Sequence, residues 1–373
     1  MNILWITWKD YLHPGAGGAE VVARHLTSRL LGEGHQVTML TCGYGSAATT
    51  DNLDGLRVIR VGSSRYLHPL QALRYYARHL KNSFDILIEE VNGAAPYFSV
   101  LLERRAKKFL LYHQLGRKNW LYEVPKPFSY LGYWLLAPAA TRLASLSGAP
   151  VITVSDSTRQ VLARHGFTPE RTAIISEGLD DIEPVTDLQS ITKFDRPTVL
   201  SIGAMRPMKR TLDHIKAFEA AKKQLPDLQM KLAGSSSNAY GKKVLAYAAA
   251  SPYVSDIEYL GRVSDRQKWE LMQRSHVILQ TAIEEGWGLT ITEAASQGTP
   301  AVAYNVDGLR DSIRNMETGI ITSHTPAALA DGIVQLLGDP TLYRQLRQAG
   351  WEWSKQITFD RSYQDFKQAI GLS

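Results

Sequence analysis

Cysteine is nearly absent from this sequence of 373 residues, in which Cys42 is the only one. A single cysteine excludes an internal disulfide framework and fits a reducing compartment, so we expect a cytoplasmic protein. No group of cysteine and histidine residues has the spacing of a zinc site. Nowhere do about 18 apolar residues follow one another without interruption, and no transmembrane helix is therefore expected.

A signal peptide is also not expected, because residues 1–8 are apolar but short and lack a charged region before them. They predict a buried first strand instead. Hydrophobic residues make up 44% of the chain and charged residues 21%, which is the balance of a folded globular protein. The length exceeds what one ordinary hydrophobic core needs and fits two domains.

Positive charge is concentrated in the first half of the chain. The net charge is +6, but residues 57–126 alone contain 13 Lys and Arg against 5 Asp and Glu. This excess favours an anionic partner such as a phosphate or a lipid surface, although a solvated basic surface is the alternative. Nucleic acid is not expected, since no recognition module accompanies the charge.

A segment rich in tryptophan and tyrosine, Arg117–Leu136, is bounded by basic residues. This composition suits a membrane interface, an acceptor groove or ordinary core. Peripheral contact with the inner face of an anionic membrane is therefore one expectation.

Apolar strand-like runs alternate with helical patterns along the chain, which predicts parallel sheets with crossover helices. The predicted strands are Asn2–Trp8, Gln36–Thr41, Ile86–Glu89, Phe109–His113, Val151–Val154, Thr198–Ile202, Gln229–Ala233, Ile257–Leu260, Val277–Gln280, Ala301–Tyr304 and Gly319–Ile321. In the second half, helices are expected to start near Lys209, Tyr240, Asp265, Leu289 and Leu309. The predicted organisation is a first domain at 1–180, a linker at 181–196, a second domain at 197–358 and a final helix at 359–373, for which the sequence leaves open packing on the second domain or a return to the first.

The strongest functional pattern is the segment 285–294, which reads EGWGLTITEA and follows a predicted strand. Glycines at a strand-to-helix turn let the backbone approach a ligand closely, and a helix N-terminus favours an anion such as a diphosphate. Glu285 before the turn and Glu293 within the helix can accept hydrogen bonds from sugar hydroxyls. A purely structural turn with a glutamate near the helix start is the competing interpretation.

Two further loops suit phosphate groups. Residues 15–20, GAGGAE, follow the first predicted strand, but the last glycine of the dinucleotide pattern would fall on Glu20, so an oxidoreductase is not expected. The helix N-terminus behind them still suits a phosphate or an acceptor oxygen. Residues 203–210, GAMRPMKR, carry cations that can neutralise a leaving diphosphate. A tight turn and a solvated helix start are the respective alternatives.

His113, Glu89 and Glu90 stand at the carboxyl ends of predicted strands, where α/β proteins bind their ligands. A lone histidine is often structural. Side chains alternate along a strand, so one of the two glutamates is expected to face the ligand as an acceptor-side residue and the other to face away. The sequence does not distinguish between them.

The run EGWGLTITEA, followed by GTPAVAYNVDGLRDSI at 298–313, resembles the signature of the retaining glycosyltransferases of family 4. The order and spacing of the motifs are similar over nearly the whole chain. The resemblance implies the GT-B fold, an α/β class in which two Rossmann-like, doubly wound domains face each other across a cleft. It also implies a nucleoside-diphosphate sugar as co-substrate, with no cofactor and no metal. No Asp-x-Asp stands where a divalent ion would bridge the diphosphate, and Asp180-Asp181 falls in the predicted linker.

The resemblance implies that Glu285 meets the hydroxyls of the donor sugar and that Glu293 holds those of the ribose. Lys209 would stabilise the leaving diphosphate, and His113 would lie beside the primary hydroxyl of the sugar; with Glu285 these are the expected catalytic residues. The full donor-binding set expected from the resemblance is Gly17, Gly18, Arg206, Lys209, Arg210, Glu285, Gly286, Trp287, Gly288, Leu289 and Glu293. Gly17 and Gly18 belong to a loop that closes over the diphosphate.

Three positions depart from the family's pattern. Ala204 stands where the family has an arginine, so Arg206 or Arg210 is expected to supply the missing charge. Asp307 replaces the first glycine of a Gly-Gly-Leu turn, which we interpret as structural. Residues 177–178 are Glu-Gly where the family commonly has Asn-Gly, and they are expected to form a hinge.

These features together predict a retaining, metal-independent hexosyltransferase acting on a glycan, a glycolipid or a small molecule. One alternative is a nucleotide-sugar epimerase or hydrolase on the same fold, which would turn over without an acceptor. The other is a non-catalytic protein that binds sugar nucleotides. The sequence leaves the base, the sugar and the acceptor open.

Overall fold

A computed structural model of the protein describes residues 1–64, 67–92, 96–179, 182–183 and 185–372. The contacts between residues divide the chain into two compact units, Met1–Asp180 with Thr358–Ser373, and Asp181–Ile357. The final helix thus belongs to the first unit. Asp180-Asp181, which the sequence places in the linker, lies outside the described residues.

The first unit is built on a parallel sheet with one antiparallel edge. Its strands, among the described residues, are β1 (Asn2–Ile6), β2 (Gln36–Thr41), β3 (Thr50–Leu53), β4 (Leu56–Arg60), β5 (Ile86–Val91), β6 (Lys107–Tyr112), β7 (Val151–Thr153) and β8 (Thr172–Ile174). They lie in the order β3-β4-β2-β1-β5-β6-β7-β8, and of these described strands only β3 and β4 pair antiparallel. Since the central strands are buried on both faces, they are almost continuously apolar, and the chain reverses its direction of winding between β1 and β5.

Helices cover this sheet. They are α1 (Gly18–Gly32), α2 (His68–Tyr75), α3 (Ser99–Leu102), α4 (Asn119–Glu123), α5 (Phe128–Leu131), α6 (Ala137–Ser145) and α7 (Asp156–Ala163), with the C-terminal helix Phe359–Ile370. Single π-helical turns, Tyr76–Leu80 and Gly132–Leu136, continue α2 and α5. Phe366 of the C-terminal helix packs on the buried Trp5 ring, with 5.8 Å between the ring centroids.

The second unit has a wholly parallel sheet, in the order β11-β10-β9-β12-β13-β14. The strands are β9 (Thr198–Ile202), β10 (Gln229–Ala233), β11 (Ile257–Gly261), β12 (Val277–Gln280), β13 (Ala301–Tyr304) and β14 (Gly319–Thr322). The helices are α8 (Thr211–Lys222), α9 (Ala239–Ala249), α10 (Asp265–Arg274), α11 (Leu289–Ser296), α12 (Pro326–Gly338) and α13 (Pro340–Ser354). Winding reverses between β9 and β12, so the loops that follow these two strands flank the switch point at which such sheets bind ligands.

The structure differs from the sequence-based expectation at two places in this unit. The helix expected near Leu309 is a series of turns that includes Gly308, whose backbone is left-handed with φ +81°. The segment expected to be a linker packs on the second unit: the buried ammonium of Lys193 donates to the carbonyl oxygens of Ser275 and Gly298 at 2.7 and 2.9 Å. In the described part of the chain, no helix combines the length and the apolarity needed to span a bilayer.

Candidate functional site

The loops after β9 and β12 bring together a cation and a carboxylate. Lys209 ends a single helical turn, Pro207–Lys209, and Glu285 lies in the loop that leads into α11. The Nζ atom of Lys209 donates a hydrogen bond to Oε2 of Glu285. The two side chains remain 31% and 24% exposed, so both can reach a ligand.

A buried histidine, His214, is connected to the backbone of Lys209 by hydrogen bonds. Nδ1 of His214 lies 2.7 Å from Oγ of Ser201, and Nε2 lies 2.8 Å from Oγ1 of Thr281. The same Thr281 hydroxyl donates to the carbonyl oxygen of Lys209 at 2.9 Å. Burial, together with the charge of Lys209, lowers the pKa of His214 to about 3, so the ring is neutral and can connect the two hydroxyls. This chain of hydrogen bonds fixes the backbone that carries Lys209.

The turn at Asp307–Leu309 shapes the other side of the pair. A Cβ on Gly308 would lie 2.3 Å from the carbonyl oxygen of Glu285, and a Cβ on Gly288 would lie 2.9 Å from Cδ2 of Leu309. Both glycines have φ in the left-handed region, at +81° and +98°. The turn therefore packs directly on the loop that carries Glu285, which agrees with a structural role for it.

We expect Gly308→Ala to displace the Glu285 loop. The new methyl group would need both a strained backbone and about an ångström of movement, because real Cβ atoms do not approach an oxygen at 2.3 Å. The expected loss is about 1–3 kcal/mol of unfolding free energy, measured by urea denaturation. Gly338→Ala is the matched control, since a Cβ there meets nothing within 4 Å. Equal stability of the two variants would contradict this account.

Glu293 lies within α11 and is 7% exposed. Its Oε1 atom accepts a hydrogen bond from Nζ of Lys268 on α10 at 2.8 Å. The sequence analysis missed Lys268, which only the pairing of α10 with α11 brings to this carboxylate. The two arginines expected to replace the one missing at Ala204 differ in their surroundings: the guanidinium of Arg210 lies 5.9 Å from the centre of the Tyr304 ring, whereas Arg206 is exposed.

Trp287 lies between Gly286 and Gly288 and packs against Trp353, with 6.1 Å between the ring centroids. Its Nε1 atom is buried and has no hydrogen-bond partner among the described residues. Leu289 begins α11 directly after this turn. A buried indole N–H without a partner is unusual, because nearly all buried polar groups are hydrogen-bonded.

The first unit has its own cluster at the carboxyl ends of β1, β5 and β6. Glu90 is fully buried; its Oε2 atom accepts a hydrogen bond from Nε1 of Trp5 at 2.5 Å, and its Oε1 atom lies 3.0 Å from Nε2 of His113. Nδ1 of His113 lies 3.9 Å from Oε1 of Glu177. Burial disfavours the charged ring, but the two carboxylates outweigh it and raise the pKa of His113 to about 10. His113 is thus an imidazolium held between two glutamates, and Glu177 belongs to the cluster.

Glu20 connects the glycine loop to this cluster. Its Oε2 atom accepts from the backbone N–H of Gly17 at 2.6 Å and from Nζ of Lys9 at 3.2 Å, and its Oε1 atom accepts from Nδ2 of Asn92 at 3.0 Å. Gly18 is the first residue of α1. The sequence analysis missed Lys9 and Asn92 as partners of this loop, although Glu20 was part of the motif. Burial raises the pKa of Glu20.

The fold itself does not require glycine at position 17. Its φ is −149°, and a Cβ there would meet nothing closer than 3.8 Å. Gly17 lines a cavity of about 430 Å³, whose other walls include Tyr11, Arg24 and Asp54. The small residue leaves room beside the helix N-terminus for a ligand.

The hydrogen bonds of Glu89 favour a structural role over the acceptor-side role considered for it. Its Oε1 atom accepts from the backbone N–H groups of Tyr97 and Phe98 at 2.7 and 3.0 Å. Its Oε2 atom accepts from the hydroxyl of Ser99 at 2.5 Å and from the N–H of Val100 at 3.2 Å. Both oxygens are occupied in holding the start of α3, so Glu90 is the one of the pair that faces His113. Within the described residues, no group of three or more His, Cys, Asp or Glu side chains is placed to hold a metal ion.

Two family models match the chain, one in each half. The model described as "Glycosyltransferase Family 4" matches residues 16–182, and the model described as "Glycosyl transferases group 1" matches residues 186–353. An uncharacterised glycosyltransferase of Methanocaldococcus jannaschii is 24% identical over 368 residues, covering 91% of this chain and 90% of that protein. The trehalose synthase of Pyrococcus horikoshii is 26% identical over 182 residues, which are 46% of this chain and 44% of that protein. This chain therefore matches less than half of the length of that relative.

Solved structures share the fold of the whole chain. The sucrose-phosphate synthase of Thermosynechococcus elongatus matches with a TM-score of 0.79 at 20% identity, covering all of both chains. Anabaena HepE, solved in complex with UDP-glucose, matches with a TM-score of 0.72 at 14% identity, covering 100% of this chain and 99% of that one. At these identities the likeness concerns the fold, which is GT-B.

Proposed function

Because this chain belongs to the group 1 glycosyltransferases of family 4, we propose that it moves a hexose from a nucleoside-diphosphate sugar to an acceptor hydroxyl with retention of configuration. The pair formed by Lys209 and Glu285 is the observation that carries this proposal. A transferred sugar needs a carboxylate to hold its hydroxyls, and its leaving diphosphate needs a cation. In the ligand-free protein the two side chains form an ion pair with each other, at the switch point between β9 and β12.

The other residues of the second unit complete the proposed donor site. The amides of residues 286–289 would meet the sugar and the diphosphate at the start of α11, where unpaired N–H groups favour an anion. Glu293 would hold the ribose hydroxyls, and Arg206 or Arg210 would add charge to that of Lys209. From the first unit, Gly17 and Gly18 would contact the diphosphate, His113 the primary hydroxyl of the sugar, and Glu90 would support the acceptor side.

The proposed reaction takes place on one face of the sugar. The bond from the anomeric carbon to the diphosphate oxygen breaks, and the acceptor oxygen bonds to the same face of that carbon. The departing diphosphate takes the proton of the acceptor, while Lys209 and the loop amides stabilise its charge. We propose that this requires no metal and no further cofactor, in which case a chelator such as EDTA leaves the rate unchanged.

The proposal is tested by a panel of nucleotide sugars, with UDP-glucose first because HepE binds it. A ligand that binds the folded state raises its melting temperature, so a thermal-shift screen finds the donor before the acceptor is known. Transfer is then measured with glycan, glycolipid and small-molecule acceptors. Donor binding with release of free sugar and no transfer would instead indicate a nucleotide-sugar hydrolase. Donor binding with epimerisation and no transfer would indicate an epimerase.

Glu293→Ala is expected to raise the donor KM by about 10–100-fold while kcat changes little, because ribose contacts are made equally in the ground state and the transition state. The substitution also frees Lys268, so Lys268→Ala is the matched control for the loss of the ion pair. A donor KM that is unchanged in Glu293→Ala would contradict the ribose role.

We also propose a cytoplasmic location with access to the inner face of the membrane. The single cysteine supports a reducing, cytoplasmic compartment. The basic first half of the chain supports contact with an anionic membrane surface.

A further inference from the structure

The helical segment from Phe128 to Leu146 exposes its largest apolar side chains. The exposed fractions are Phe128 65%, Tyr130 47%, Leu131 47%, Trp134 67%, Leu135 58%, Leu136 46%, Leu143 45% and Leu146 74%. We call these residues the apolar face. Scattered apolar residues are normal on a protein surface, but eight large ones exposed within one segment of 19 residues mark an interaction site.

The opposite side of the same segment is buried and consists of small residues. Ser129, Gly132 and Ala144 are buried there, and a Cβ on Gly132 would lie 1.9 Å from the ring of Trp120. The segment is therefore anchored tightly by its small side chains while its large ones remain outside. This is the reverse of the arrangement in a helix that covers a core, and burial within this unit does not explain it.

Basic side chains stand beside the aromatic ones. The guanidinium of Arg117 lies 4.2 Å from the centre of the Tyr133 ring and donates to the carbonyl oxygen of Tyr133 at 2.8 Å. Nζ of Lys126 lies 5.5 Å from the centre of the Tyr130 ring. From residue 117 to residue 146 the sequence contains four basic residues and one acidic residue, and Arg142 is the only charged residue after position 127.

We propose that the apolar face docks on an anionic lipid bilayer. Its leucine, phenylalanine and tryptophan side chains would enter the boundary between headgroups and acyl chains, and Lys126, Arg117 and Arg142 would contact lipid phosphates. A second copy of this chain is the less suitable occupant, because two such faces would bring like charges together. Docking does not depend on the proposed sugar transfer, so the two can fail separately.

The position of the apolar face gives docking a consequence for the cluster in the same unit. Only residues 114–116 separate His113, at the end of β6, from Arg117 at the edge of the face. Docking would hold the end of β6 close to the lipid surface. An acceptor hydroxyl on a lipid headgroup would then meet the first unit without leaving the membrane.

The test is flotation of the full-length protein with vesicles, comparing phosphatidylcholine alone with equal parts of phosphatidylcholine and phosphatidylglycerol. We expect binding to the anionic vesicles only, reduced by high salt because the Debye length falls from about 10 to 3 Å between 0.1 and 1 M. The double variant Trp134→Glu, Leu135→Glu should lower the partition coefficient at least 10-fold. Lys126→Gln should lower it about fivefold, which corresponds to about 1 kcal/mol per basic residue near the surface.

Val254→Glu is the matched control, since Val254 is 50% exposed in the second unit and outside the apolar face. It should bind vesicles like the parent protein. Equal binding of the parent and the Trp134→Glu, Leu135→Glu variant, with both folded by circular dichroism, would overturn the proposal. So would absence of binding by the parent protein, or a dimer in analytical ultracentrifugation that the double variant converts to a monomer.

Discussion

Glu285→Ala is expected to lower kcat about 100- to 1000-fold, the range typical for loss of one group that stabilises a transition state. The proposed contact between this carboxylate and the sugar hydroxyls strengthens as the sugar separates from the diphosphate, so its loss affects kcat more than KM. The same change releases Lys209, which in the ligand-free protein donates to Glu285. We therefore expect affinity for the nucleoside diphosphate to be kept or to increase, as measured by isothermal titration calorimetry.

This combination of outcomes separates a catalytic role from a structural one. Glu258→Ala removes the partner of Lys231, another lysine–glutamate pair in the same unit, and serves as the control for losing an ion pair. Glu258→Ala should leave both kcat and diphosphate affinity unchanged. Near-normal turnover by folded Glu285→Ala protein, or a parallel loss of diphosphate binding, would remove Glu285 from its proposed place.

Much of the fold could be predicted from the sequence, because its central strands are buried on both faces and read as apolar runs between helical patterns. The strands that the sequence analysis missed are β3 and β4 at one end of the first sheet and β8 at the other. The strand β3 is half exposed and polar, and its pairing with β4 depends on the turn at Asp54-Gly55, where both residues have positive φ. An Asp-Gly pair is a known hairpin signal, but the sequence analysis gave weight to apolarity instead. The prediction near Leu309 was wrong in the opposite sense, since its apolar neighbours suggested a helix where the structure has turns.

The candidate site was predictable where one loop carries it and not where distant loops converge. Residues 285–293 are contiguous, so their motif could be recognised directly. Their cationic partners are distant in sequence: Lys268 pairs with Glu293, and Lys209 pairs with Glu285. Each pair forms only through the order of the strands and the packing of the helices. Glu89 and Glu90 show the limit most directly. Strand alternation predicts that they point to opposite sides, but only the backbone N–H groups before α3 decide which one is occupied.

His113→Ala is expected to destabilise the protein by about 3–5 kcal/mol, because it removes the cation between two buried carboxylates. Glu90 and Glu177 are fully or almost fully buried, and Oε2 of Glu177 has no hydrogen-bond partner among the described residues. Without the imidazolium, no cation between them offsets their repulsion, and the hydrogen bond from Nε1 of Trp5 compensates the desolvation of Glu90 only in part. The loss should be measured as unfolding free energy in urea, since a drop in activity alone would not distinguish a role in catalysis from one in holding the cluster.

The pH dependence of stability identifies the cause of this loss. The pKa of His113 is raised in the folded protein from its ordinary 6.5 to about 10, so its contribution is present in full below pH 6.5 and is lost as the pH rises through 10. The parent protein should therefore lose more stability between pH 7 and pH 10 than His113→Ala does. Adding Glu177→Gln to His113→Ala should recover part of the stability by removing one unpaired charge, whereas Glu177→Gln alone should be destabilising. A pH profile shared by the parent and His113→Ala would show that the ring is neutral in the fold, and the cluster would then be held by hydrogen bonds rather than by charge.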